Sequence, residues 1–463
     1  MPVLPFVLGW LALVAAPTSA VAAGYRPSGG PIDLHDLGRL ARLRDPDVKP
    51  FRFGTSDFEA HRGAGTTRRP AEDGGSVLAE VPGPGIVQHL WIARGGPRSN
   101  GNDRLRVYLD GRPEPALDLT LGELTAGRHP HFPKPLAGAT PDGFVCDVPI
   151  AFRDGCRVVL DGAAPSSSQV SGVTLPSADG IATLLVEPRP TVRTDLDRAR
   201  ALWSHPEDVR NLGLADAEPA EYRIEVEARS TQVFSLPAGP RTIRSFEVVS
   251  ARGTADAWRA ARLRLTWEGD DPARAGVDLP LGDAFGPPAR GAPSHSVLVG
   301  RDGESLYSHL PMPYRRQASL RLDSERPLAG AIRLLTVRGV VPDAGYFRAA
   351  SRTDPAPESD GVFAWLDEAG RGHYVGVFLA GAAPRPGGVR LTVDGRPLGP
   401  EMLVVGDSDC GASASRWHPA DPVPFVRSIA AGLARDHLPA ASAGVRAAVF
   451  WYSEQPGPAR AGR

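Results

Sequence analysis

Through residues 306–322 (LYSHLPMPYRRQASLRL) the chain alternates. Leu306, Ser308, Leu310, Met312 and Tyr314 fall at every second position, and Ala318, Leu320 and Leu322 resume the pattern after the polar Arg315-Arg316-Gln317. A period of two lines one face of a pleated strand, so this stretch predicts an antiparallel pair with a buried side. Pro311 and Pro313 donate nothing to a ladder, which places their strand at an edge or on a bulge. Residues 144–160 (FVCDVPIAFRDGCRVVL) repeat the pattern. Pro149, Phe152 and Cys156 stand where Pro311, Tyr314 and Ala318 stand later, with the same seven-residue step from proline to third position. By the same logic Cys156 lies opposite about Phe152.

The echo extends outward. Leu121-Gly122-Glu123-Leu124, after Arg106-Val107-Tyr108-Leu109, precedes the first pair much as Leu281-Gly282-Asp283-Ala284, after Leu263-Arg264-Leu265, precedes the second. Self-similarity at so long a period means one supersecondary unit used twice. The chain therefore predicts an all-β fold, a tandem double jelly roll of two antiparallel β-sandwiches with a few short helices. The first sandwich spans 50–190 and the second 221–455. An N-terminal arm, 24–49, carries a short helix over 34–43 with Leu34, Leu37, Leu40 and Ala41 on one face. A linker, 191–220, holds a helix over 195–203, and the tail 456–463 reads as disordered.

Composition adds three things. The 463 residues hold 52 glycines and 47 prolines, the punctuation of many short strands. A net charge of −1 gives no electrostatic case for nucleic acid or an anionic membrane. Lysine occurs at Lys49 and Lys134 alone, which disfavours Schiff-base chemistry. Residues 1–23 carry a short apolar run ending in Ala20-Val21-Ala22, the form of a signal peptide cleaved near Ala22 or Ala23, although no Lys or Arg precedes the run. A secreted or periplasmic protein without a membrane span is expected. Three cysteines are an odd number for such a protein, and Cys146 and Cys156 are read as buried free thiols because their register does not suit a bridge.

Several strings resemble glycoside hydrolase family 172, formerly domain of unknown function 2961. They are 78–91 (LAEVPGPGIVQHLW), 105–111 (LRVYLDG), 279–286 (LPLGDAFG), 310–314 (LPMPY), 370–376 (GRGHYVG), Arg416-Trp417-His418, 421–425 (DPVPF) and Phe450-Trp451-Tyr452. The resemblance implies a double jelly roll that assembles into homo-oligomers, trimers or hexamers, with active sites near subunit contacts. It also implies action on furanosides, fructofuranosides and D-arabinofuranosides among them. Retaining hydrolysis needs two carboxylates about 5–5.5 Å apart, one as nucleophile and one as acid/base. The family's glutamates flank a Val-Asp-Gly turn, present here as Val393-Asp394-Gly395. Pro386 and Ser408 occupy the two glutamate positions, and the loop that follows is cut to 410–415. The family's Ser-Ser-Tyr-Asp-Arg string is replaced by Thr55-Ser56-Asp57-Phe58-Glu59.

The residues leave a short set of candidates. Asp407 and Asp409 form the replacement catalytic pair to be tested, against the reading that they are turn residues after an apolar strand at 402–405. Asp57, Glu59, Trp417 and His418 are the substrate-binding candidates, with Trp417 and His418 equally readable as core and rim. Glu401 is expected to be solvated. His129-Pro130-His131 lacks a third ligand at metal-site spacing, and His373 reads as a sheet-face histidine. Gly406-Asp407-Ser408 echoes an esterase nucleophile turn but lacks the α/β context. No metal and no cofactor are implied. The expected protein is an exported relative of furanosidases that has lost its hydrolytic pair and binds furanose-containing glycans or serves as an assembly subunit. The alternative is an active furanosidase rebuilt around Asp407 and Asp409.

Overall fold

The computed structural model describes residues 24–55, 71, 74–94, 101–162, 167–185, 187–251, 258, 261–271, 275–286, 296–303, 305–354, 361–385, 387–408, 411–438 and 444–455. The signal-peptide and tail expectations lie outside them. Among these residues no helix is long and apolar enough to cross a membrane.

The same ten-strand plan is drawn three times. In the first repeat, β1 (Lys49–Thr55), β10 (Ser168–Thr174), β3 (Gly85–Ala93), β7 (Gly143–Cys146) with β8 (Ile150–Phe152), and β6 (Ala137–Ala139) make one sheet. β2 (Ser76–Val81), β9 (Cys156–Asp161), β4 (Arg104–Leu109) and β5 (Leu117–Thr120) make the sheet facing it. The second repeat sets β11 (Glu218–Val226), β20 (Leu328–Arg338), β13 (Arg241–Ser250), β17 (Ser305–Ser308) with β18 (Met312–Tyr314), and β16 (Val299–Asp302) over a facing row. That row is β12 (Ser230–Ser235), β19 (Ala318–Ser324), β14 (Ala261–Trp267) and β15 (Val277–Pro280). The third sets β21 (Tyr346–Thr353), β30 (Arg446–Ser453), β23 (Gly372–Ala380), β27 (Gly411–Trp417) with β28 (Val423–Phe425), and β26 (Val404–Ser408) over another. Its facing row is β22 (Val362–Ala369), β29 (Ser428–Ala434), β24 (Val389–Val393) and β25 (Arg396–Glu401). Each is a jelly roll, a row of six strands facing a row of four. The all-β sandwich fold expected from the alternation is present. The stretch 221–455, read from sequence as one jelly roll, holds two.

Each repeat buries its own core. Val87, Leu90, Phe152, Val158 and Val170 meet in the first, Leu265, Trp267, Tyr314 and Leu320 in the second, and Phe363, Trp365, Leu391 and Trp451 in the third. The alternation of β14 shows the cause, since every second residue from Ala261 to Trp267 is buried.

The alternating stretches are sandwich corners, not hairpins. β18 pairs with β13, whereas β19 pairs with β12 and β14 in the opposite sheet. β8 and β9 part in the same way, so Cys156 faces Val81 and Leu109 rather than Phe152. Alternation reports which face is buried, and both sheets of a sandwich bury one. An acidic residue at the turn after the fourth strand ties each corner down. The Asp110 carboxylate accepts from the backbone N–H of Arg153 and Asp154 (2.7 and 2.8 Å), and that of Glu268 from Arg315 (2.6 Å). Asp394 takes the N–H groups of Val426, Arg427 and Ser428 (3.0, 2.6 and 3.1 Å). A glycine follows each acid at positive φ (66°, 88° and 82°), where a side chain would be strained.

Each central strand carries a β-bulge at the same place. Gln88 of β3, Arg244 of β13 and Val375 of β23 are left out of register against β10, β20 and β30. The second and third repeats also share a sheet, because β15 pairs in parallel with β21. The Asp283 carboxylate of the second accepts two bonds from Arg446 of the third (2.5 and 2.8 Å). The expected arm helix is split into α1 (Ile32–His35) and a 3-10 turn (Leu37–Ala41). α2 (Leu121–Thr125) closes with a Thr120/Glu123 capping box. The linker helix α3 (Pro190–Ser204) docks through Leu196, Ala199 and Leu202, and Trp203 donates to the Leu34 carbonyl (2.9 Å).

Cys146 and Cys156 are both buried and free, and burial pushes each thiol pKa up to about 12. At pH 8 only about one thiol in ten thousand would be thiolate. The native protein should therefore leave both unlabelled by an aromatic disulfide reagent over minutes, and denaturant should release both. Rapid native labelling of either would contradict this packing.

Candidate functional site

The loop that follows β23 and the β26–β27 hairpin, the two segments singled out in the sequence, begin side by side in the third repeat. β23 leaves its sheet at Gly381, whose N–H donates to Ala412 (3.0 Å), so the 381–388 loop starts beside the β26–β27 hairpin. In that hairpin Asp407 pairs with Ala412 and Ser408 with Gly411. The strand expected over 402–405 runs instead from Val404 to Ser408, which puts Asp407 in the ladder and not in a turn. The side chains of Asp407 and Ser408, and the whole of Pro386, Asp409 and Cys410, lie outside the described residues, as do Asp57 and Glu59.

The surrounding groups are already engaged. Arg435 holds Asp354 at 2.5 Å, with both side chains withdrawn from solvent. The fully buried His437 lies against Gly388, where an added Cβ would come within 2.5 Å of the histidine's own. Backbone bonds from Arg385 to the His437 carbonyl and from Ala434 to the Gly388 carbonyl (2.8 and 2.9 Å) press the 435–438 turn onto the loop. Asp283, held by Arg446, faces the start of β30 at this same end. Asp394 of the Val-Asp-Gly turn is spent on its corner.

Behind this end lies a sealed polar junction between the first and third repeats. The outer face of the first repeat's sheet supplies Arg52 of β1, His89 of β3, and Gln169 and Ser171 of β10. The third supplies Tyr374, Glu401, Arg416, His418 and Asp421. His418 Nε2 is 2.5 Å from Glu401 Oε1, and its Nδ1 is 3.0 Å from Asp421 Oδ1. Arg416 Nη2 contacts both Asp421 oxygens (2.9 and 2.8 Å), and Ser171 donates to Oδ2 (2.8 Å). Arg52 Nη2 is 3.5 Å from Glu401 Oε1, while the Met402 N–H donates to Gln169 Oε1 (3.1 Å). His89 is paired with Asp147 at 2.7 Å. Burial alone would raise the pKa of Glu401, but His418 and then Arg52 bring it below the ordinary value. Asp421 is held well below its own against the same penalty, by Arg416 first and His418 next.

Glu401, expected in solvent, is thus 0% exposed. It ends β25 where that strand packs on β1, so its burial comes from another repeat and not from its own strand. Trp417 and His418 separate. Trp417 packs on Phe450 (4.8 Å between ring centroids) in the core of the second repeat, and His418 enters the charge network with Tyr374 beside it (5.2 Å). Both imidazole nitrogens of His418 face carboxylates, Nδ1 in a hydrogen bond with Asp421 and Nε2 in close contact with Glu401. His373 is buried with Nε2 2.5 Å from the Leu40 carbonyl. His131 bonds the Leu185 carbonyl (2.8 Å), and His129 stacks on Phe132 (4.9 Å). Among the described residues no group of three or more His, Cys, Asp or Glu is placed to hold a metal ion. The third repeat's role was visible in one signal. Pro422-Val423-Pro424-Phe425 repeats the proline-to-aromatic step of Pro149/Phe152 and Pro311/Tyr314.

Comparison with known proteins gives two matches of one kind. Residues 43–187 match the GH172 first beta-sandwich domain and residues 217–329 the GH172 domain-like region, together more than half of the chain. No curated protein matches. Among solved structures, the STIV MCP aligns at 13% identity over 51% of this chain and 97% of that one, with a TM-score of 0.31. The major capsid protein P2 from bacteriophage PM2 aligns at 9% over the same shares, with a TM-score of 0.34.

The junction makes an acid-sensitive prediction. Asp421 and Glu401 have depressed pKa values when folded, so their contribution is full above the unfolded pKa values and lost as pH falls through the folded ones. The melting temperature should drop steeply below about pH 4. Asp421→Asn should flatten that slope and cost about 3–5 kcal/mol near neutrality, since Arg416 then loses its buried counter-charge. Denaturant melts from pH 3 to 7 check both; an unchanged acid slope in the variant would refute the assignment.

Proposed function

Starting from glycoside hydrolase family 172, to which the chain belongs, we propose that this protein is an exported, non-hydrolysing member. In this reading it assembles with copies of itself and holds furanose-containing glycans without cleaving them. The observation that carries it is that the acidic groups described at this end of the third repeat are already paired. Where the chemistry calls for a nucleophile and an acid facing each other across about 5 Å, Asp283 and Asp354 are clamped by Arg446 and Arg435. His437 packs onto the loop that bears Pro386. A carboxylate paired with a guanidinium, as Asp283 is through both oxygens and Asp354 through one, is neither a ready nucleophile nor a proton donor. Proline at 386 supplies no substitute, and serine at 408 is a poor nucleophile without a paired base.

Glycan contact in this proposal falls to Asp57 and Glu59, which follow β1 in sequence, and to Asp407 and Asp409. Trp417 and His418 brace the fold from within. The rival reading, an active furanosidase using Asp407 and Asp409, draws on the position of Asp407 in the β26–β27 hairpin.

One experiment separates the two. The nucleophile and acid/base of a retaining enzyme are each worth about 4–8 kcal/mol of barrier. Aryl fructofuranosides and arabinofuranosides should therefore be released no faster than in buffer, while arabinofuranose- or fructofuranose-containing polysaccharide retards the protein in affinity electrophoresis. Turnover that Asp407→Asn or Asp409→Asn abolishes would replace this reading with the active one. Absence of both turnover and retardation would remove the glycan role.

A further inference from the structure

The bulge of β13 aims a buried arginine into a cleft that the glycan reading does not use. The cleft, about 520 Å³, lies between the arm's 3-10 turn and the 337–344 segment that leads from β20 to β21. Arg39, Arg42, Arg244 and Arg338 all line it. Three of these make closer ion pairs, although Glu218 also serves Arg241. Arg42 makes a two-pronged pair with Asp343 (2.9–3.1 Å), Arg338 bonds Glu218 (2.5 Å), and Arg39 bonds Asp33 (2.9 Å) and Asp36 (3.2 Å). Arg244 is different. Its side chain keeps 13% of its surface, and its ion pair is a 3.5 Å approach to the Asp36 oxygen not used by Arg39. Burial lowers its pKa from the ordinary arginine value and Asp36 restores only part of the difference, so its charge is incompletely compensated.

The surrounding backbone is shaped around this guanidinium. Arg244 is the residue that falls out of register between Ile243 and Ser245, which frees it from the strict in–out alternation of β13. Gly38 lies directly against it, and a Cβ there would come within 2.8 Å of Nη1. The opposite wall is apolar, with Val341 43% exposed beside Pro342 and Pro313. A guanidinium presents donors in a planar fork that matches the two oxygens of a carboxylate or phosphate. The volume suits a small molecule.

We propose that this cleft binds a small oxyanion, a carboxylate or phosphate group, through Arg244, with any organic body resting on Val341 and Pro342. Asp36, itself a lining residue and shared between Arg39 and Arg244, orients the fork from one side. The site belongs to the second repeat and the arm, so it stands whether or not the protein holds glycans.

Isothermal titration of the full-length protein tests this with three probes: benzoate, acetate and inorganic phosphate. At least one should bind saturably with a Kd below about 1 mM. Benzoate tighter than acetate by tenfold identifies an organic acid with an apolar body, and phosphate alone identifies an inorganic anion. Arg244→Gln should weaken binding at least tenfold. Gly38→Ala should do the same by displacing the guanidinium while keeping its charge, and it serves if the first variant melts below assay temperature. Saturation by none of the three up to about 10 mM, or binding that survives Gly38→Ala unchanged, would overturn the assignment.

Discussion

A carboxylate sealed from water must be neutralised from every side, and this requirement governs how the first repeat sits on the third. Glu401 and Asp421 are held by groups drawn from three strands, β1, β10 and β27, and from His418 just beyond β27, in two sandwiches. Neither repeat can shift along the other without leaving a buried charge exposed to low dielectric. Apolar packing tolerates small slips, whereas a chain of paired charges does not. The junction therefore sets register, and the hydrophobic cores set strength. Arg416, His418 and the Asp421 that opens 421–425 are thus spent on holding the two repeats together.

Much of the fold was legible because a sandwich writes its inner faces as period-two alternation. The corners at 144–160 and 306–322 announced themselves through proline, aromatic and small residue at fixed steps. What alternation cannot say is which sheet a segment joins. A corner that passes from β18 to β19 reads as a hairpin until its partners are known. The third repeat escaped for a different reason. Three extra residues lie between Arg416 and Pro422, compared with Cys146 to Pro149 or Ser308 to Pro311, so its echo is out of step. The acid-glycine turns at Asp110, Glu268 and Asp394 carry the same threefold signal in a form that insertions do not disturb.

The candidate site was less legible, and the reasons are local. Counting from the Val-Asp-Gly turn located the loop and the hairpin, because strand connections preserve chain order. It could not foresee that Arg435, Arg446 and His437 would occupy their surroundings, since those contacts come from segments remote in sequence. Glu401 shows the limit well. Its own strand gives it an ordinary polar position at a sheet end, and its burial is imposed by β1, about 350 residues earlier.

The three bulges have a consequence for how such a chain diversifies. Duplication copied a backbone irregularity along with each sandwich, and an irregularity of this kind constrains hydrogen bonding but says little about the side chain it carries. Glutamine, arginine and valine now occupy the three copies at positions 88, 244 and 375. Each copy keeps the backbone geometry and carries a different side chain, so a substitution there changes the local chemistry without disturbing the ladder around it.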